Sequence, residues 1–115
     1  MKMIYLRDLV PSVEFCRLIP KRCFNNSALV WEGEMGSAVW ERDSKVYDLQ
    51  LRCGTLMFPA PTLQEIMARL PKDVEYRFRN GLFFPCHPKF DPKEFADKKP
   101  EDAALKLWLK LKEVN

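Results

Sequence analysis

"KVYDLQLR", residues 45 to 52, decides how the fold is read. In an extended backbone Tyr47, Leu49 and Leu51 fall on one side and Asp48, Gln50 and Arg52 on the other. That alternation predicts a half-buried antiparallel strand with one solvated face. The "RDSK" between Trp40 and Val46 fits a hairpin loop. Ahead of it, "ALVWEGE" (28–34) and "SAVWERD" (37–43) read as two more strands joined through "MG". Three sequential antiparallel strands argue against a parallel α/β sheet and for α+β.

Downstream, "TLQEIMARLP" (62–71) predicts a helix over 62–70. Leu63, Ile66, Met67 and Leu70 recur at i, i+3, i+4 and i+7, which places them on one buried face, with Glu65 and Arg69 exposed. Thr62 and Glu65 make a capping box, and Pro71 closes the segment. In "VEYRFRNGLFFPC" (74–86), Asn80-Gly81 between two β-rich runs predicts a type I′ hairpin, because both central residues need φ > 0. Val74, Tyr76 and Phe78 then share one face, and Glu75, Arg77 and Arg79 the other. Pro85 limits the return strand to an edge piece. "PEDAALKLWLKLKEV" makes a last helix, with Pro100 in its first turn and Ala104, Leu107, Trp108 and Leu111 as its buried stripe. At the start, "MIYLRDLV" reads as a short strand or extended piece. Ser12 is an N-cap candidate for a short helix in which Val13, Cys16 and Leu18 or Ile19 form the stripe and which Pro20 ends or kinks. The expected architecture is a single α+β domain over residues 1–115, with one antiparallel sheet of about five strands and helices packed mainly on one face.

Composition sets outer bounds. At 115 residues the chain is long enough to bury one core without staples. Its 19 Lys+Arg against 16 Asp+Glu leave +3, too mild to demand a polyanionic partner. No stretch approaches the ~20 apolar residues of a membrane span. Arg7 and Asp8 interrupt the opening "MKMIYLRDLVPS" before a signal-peptide core can form, so a cytoplasmic location is expected. In that compartment Cys16, Cys23, Cys53 and Cys86 are expected as free thiols.

The succession "SVEFCRL" (12–18), "NNSALVW" (25–31), "APTLQEIMARLP" (60–71) and "PEDAALKLWL" (100–109) resembles a group of small uncharacterised proteins of phages, prophages and mobile elements in gut bacteria. Ala60, Pro61, Thr62, Leu63, Glu65, Leu70 and Pro71 carry the most specific part. Pro20 departs from the pattern, where a longer first helix and a glycine are expected. The resemblance implies a common fold and a phage-type setting; it brings no activity, ligand or catalytic residue.

Four kinds of chemistry are weighed against ordinary structural roles. Zinc would need Cys86-His87 joined by Cys16, Cys23 or Cys53, but structural zinc ligands come in pairs two to four residues apart and these do not. Nucleophilic catalysis would have to use His87, the only histidine, and no phosphate loop or nucleophile-elbow motif occurs. The carboxylate pairs Glu32/Glu34 and Glu101/Asp102 read as a solvated edge and a helix start. No enzyme, metal or cofactor is therefore expected. Nucleic-acid binding has more support. Arg77 and Arg79 share the outer hairpin face, and Lys89, Lys93, Lys98 and Lys99 follow with Phe83, Phe84 and Phe90 nearby. Asp91, Glu94 and Asp97 interleave with those lysines and dilute the signal. Protein binding or self-association is the leading expectation, since aromatic residues beyond Trp31, Trp40 and Trp108 are many for a small core. Arg77, Arg79, Phe83 and Phe84 are the candidate contact residues, with a basic edge hairpin for nucleic acid as the alternative.

Overall fold

Leu29, Val30 and Trp31 are buried in succession, and they lie in the strand that organises the larger sheet. A computed structural model describes residues 5–114. In it β1 (Leu29–Glu32) pairs antiparallel with β2 (Ala38–Glu41) through Leu29↔Glu41 and Trp31↔Val39. On its other edge it pairs with β3 (Met57–Pro59) through Val30↔Pro59 and Trp31↔Phe58. Leu29, Trp31, Val39 and Phe58 face the main core.

The segment 45–52 is not a strand. It forms α2 (Lys45–Arg52), the connection that carries the chain from β2 across to β3. The end signals override the alternation. Ser44 Oγ accepts the Tyr47 N–H at 3.2 Å, an N-cap. At the far end Thr55 N–H donates to Gln50 O and Gly54 N–H to Leu51 O, both at 3.0 Å. Gly54 takes φ 77°, which completes a Schellman cap. Lys45, Leu49, Gln50, Leu51 and Arg52 are all strong helix formers.

The hairpin 74–86 forms as its turn predicts. β4 (Glu75–Arg79) and β5 (Leu82–Cys86) pair antiparallel around Asn80 at φ 53° and Gly81 at φ 76°. It does not extend the larger sheet. Among the described residues there are two sheets, of three and two strands, where one sheet of about five was expected. The outer edge of β5 is already taken: Phe83 N–H donates to Asp97 O at 2.8 Å, and Asp97 N–H donates to Phe83 O at 3.2 Å.

The helices therefore do not line one face of a common sheet. α4 (Pro100–Glu113) is central, touching α1 (Val13–Cys16), α3 (Leu63–Met67) and β5. It buries Ala103, Ala104, Leu105, Leu107 and Trp108, and Phe24 lies 4.8 Å from Trp108 between ring centroids. α3 buries Ile66, and the turn after it buries Leu70. Its capping box is formed as read, yet Glu65 is not simply exposed. Its Oε1 accepts Thr62 N–H at 2.8 Å, and its Oε2 accepts Ala28 N–H at 3.1 Å.

Two further expectations change. The opening segment holds a 3₁₀ turn over Leu6–Leu9, and Met3 and Ile4 of the expected strand lie outside the described residues. Asp102, read as part of a solvated helix start, is only 5% exposed. It accepts hydrogen bonds from both the backbone N–H and the hydroxyl of Ser12, the latter at 2.7 Å. Ser12 stands at the N-cap position of α1, but its hydroxyl ties that end to α4 instead of capping it.

Candidate functional site

Cross-strand neighbours of an antiparallel pair share a face. The register Arg77↔Phe84, Arg79↔Leu82 and Glu75↔Cys86 therefore collects those six residues on one face of the hairpin. Tyr76↔Pro85 and Phe78↔Phe83 lie on the other. Of the four residues singled out from sequence, Arg77, Arg79 and Phe84 come together. Phe83 does not join them; its ring stacks on Tyr76 at 5.8 Å.

The Arg77 face carries a pocket of about 330 Å³ whose far wall is Asp91, Pro92 and Lys93. Phe84, Cys86 and Pro92 supply apolar surface, and Arg77, Arg79 and Lys93 supply positive charge. Asp91 is held in place, its side chain accepting the Lys93 N–H at 3.0 Å. Arg77 makes one ion pair, to Glu75 at 3.3 Å, with both side chains 71% exposed. A pair so open to water contributes little and is readily exchanged. The face can accept an extended segment carrying both apolar and acidic groups.

Asp97 fixes the hairpin to the body. Besides its two backbone bonds to Phe83, its carboxylate accepts Lys106 Nζ at 2.8 Å and the Lys99 N–H at 3.0 Å. Burial alone raises the Asp97 carboxyl, but these bonds outweigh it and hold the pKa below its ordinary value. The lysines read as one basic cluster are dispersed: Lys93 lines the pocket, while Lys99 Nζ donates to Arg7 O at 3.2 Å. Phe90 packs edge-on against Phe95 and belongs to the core margin.

The thiols are scattered. Cys16 is buried, Cys23 and Cys86 are half-buried, and Cys53 is exposed. Burial pushes the Cys16 thiol up to about 12, and its Sγ reaches Pro11 O at 3.6 Å. His87 Nδ1 accepts the Lys89 N–H at 3.1 Å. Among the described residues, no three of His, Cys, Asp and Glu are grouped to hold a metal ion, and no helix is long and apolar enough to cross a membrane.

Two features escaped the sequence reading. α2 leaves Val46, Leu49 and Leu51 exposed, a helix with no buried residue. A second depression, of about 480 Å³, gathers Arg22, Arg69 and Lys112 beside Trp108. Arg69 lies 4.1 Å over the Phe24 ring, and Arg22 and Phe24 adopt left-handed φ of 73° and 57°. Left-handed φ at residues such as Arg22 and Phe24, which rarely adopt it, leaves no signal in the sequence. Compared with protein-family models, curated proteins and solved structures, the chain matches none of them.

Proposed function

We propose that this chain is a non-enzymatic accessory module that binds a protein through the Val74–Cys86 hairpin, using the face built by Arg77, Arg79 and Phe84. The observation that carries the reading is the pocket where these three side chains meet Lys93 and Asp91. Its mixed lining matches a peptide surface better than a polyphosphate backbone, because Asp91 in the pocket and Glu75 farther along the same face oppose a uniformly anionic ligand. The resemblance of the "APTLQEIMARLP" segment supports a phage or mobile-element setting for such a module.

A second reading, nucleic-acid binding, is favoured by Arg77, Arg79 and Lys93 lining one rim. One experiment separates the two. Tagged protein is used to capture partners from host cells with and without nuclease, comparing the wild type with Arg79→Ala and Phe84→Ser. For a protein partner, Phe84→Ser should dominate the loss, nuclease should have no effect and salt dependence should be weak. For nucleic acid, Arg79→Ala should dominate and lower the salt slope by about one per lost phosphate contact. If capture survives both changes in folded protein, the hairpin face is not the binding site.

A further inference from the structure

We propose that two copies of this chain associate by pairing their β4 edges antiparallel, Tyr76 opposite Tyr76 of the second copy across a two-fold axis. This rests on the reading of the hairpin as the binding element and names an occupant for its edge. Among the described residues β4 pairs with β5 alone. Phe83 spends both its N–H and its C=O on Asp97, away from β4. Phe78↔Phe83 and Tyr76↔Pro85 are thus the pairs that exchange no ladder bonds, and Tyr76 and Phe78 turn their own N–H and C=O to the open edge. Phe78 is 69% exposed there.

Charge selects the partner and the register. Along the other face, Asp73, Glu75, Arg77 and Arg79 run negative, negative, positive, positive. A row in that order is its own complement when reversed. With Tyr76 facing Tyr76, each Glu75 meets Arg77 of the second copy, each Asp73 approaches Arg79, and Phe78 lies opposite Val74. Both neighbouring registers bring like charges together. A shift one way sets Arg77 against Arg77, and a shift the other way sets Glu75 against Glu75. Charged edge strands usually guard against pairing. A uniformly basic edge would repel its own copy, whereas this order admits it in one register. The contact is isologous, as a two-fold dimer requires. Val74 N–H already donates to Pro71 O, so the new ladder is short and the dimer weak.

Sedimentation equilibrium from about 10 µM to 1 mM tests the proposal, a range chosen for an interface at the small end of the specific class. The wild type should dimerise with rising concentration. Glu75→Arg and Arg77→Glu should each weaken self-association on the order of tenfold or more. An equimolar mixture of those two variants should dimerise, because opposite charges then meet at both positions, and the double variant should recover. Amide exchange supplies a variant-free readout: Tyr76 and Phe78 protection should rise with wild-type concentration. Single variants that associate like the wild type, or a mixture that does not recover, overturn the register. A chain that stays monomeric to about 1 mM yet loses its protein partner on Phe84→Ser overturns the pairing and leaves the hairpin reading standing.

Discussion

The two sheets use their strands in opposite ways. β1 is bonded along both edges and buries three of its four residues, with Val30 sealed on the face opposite Trp31. β4 is bonded along one edge, and only Tyr76 of its five residues is even half-buried. The difference separates two tasks. The larger sheet spends its side chains on the core, and the hairpin, anchored from behind by Asp97 and α4, leaves most of the β4 side chains exposed and, among the described residues, one edge unpaired.

Truncation on the core side should break this contrast most severely. Ile66→Ala, at a fully buried site, is expected to cost about 2–5 kcal/mol in urea unfolding, as is Leu70→Ala. A change below about 0.5 kcal/mol would mean that α3 does not pack as described. Asp102→Ala should cost less, about 1–3 kcal/mol, because it leaves the Ser12 N–H and hydroxyl without their buried partner.

The anchor between the two regions is weaker still. Asp97→Asn should lower stability by about 0.2–1 kcal/mol, with the loss of exchange protection concentrated in Leu82–Cys86. Its pH dependence has a definite sign. The folded-state pKa of Asp97 lies below the ordinary carboxylate value. The pair therefore contributes stability above about pH 4 and loses it as pH falls through the lower, folded-state pKa. Asp97→Asn should flatten the acid limb of the stability curve over that window. Smallest of all, Arg79→Ala and Phe78→Ser should shift stability by no more than about 0.5 kcal/mol while altering association. A large loss at either position would show that the hairpin is structural.

Legibility follows the same division. The hairpin turn was readable because Asn-Gly states its own backbone conformation, and α3 and α4 were readable because their apolar spacing is local, although α3 stops at Met67 instead of Leu70 and buries fully only Ile66. α2 was misread although Ser44 and Gly54 bracket it in plain view. Val46 and Leu49 also fit i, i+3, and Tyr47 and Leu51 fit i, i+4, so eight residues satisfied both periods and only the caps could decide. The Asp97–Phe83 bridge and the Ser12–Asp102 tie join residues far apart in sequence, and no local pattern encodes them. For the candidate site, alternation correctly put Arg77 and Arg79 together. The choice between Phe83 and Phe84 depended on register, which the turn determines but the composition does not.

The placement of the thiols gives this chain a built-in clock for its own opening. Cys53 stands in water, whereas Cys16, the last residue of α1, is buried and protonated at neutral pH. A thiolate-selective alkylating reagent should label Cys53 at once and reach Cys16 only when α1 lifts away from α4. The slow phase of labelling would then report the rate of that motion, without any engineered probe. Asp102→Ala should quicken this phase and leave the fast one unchanged.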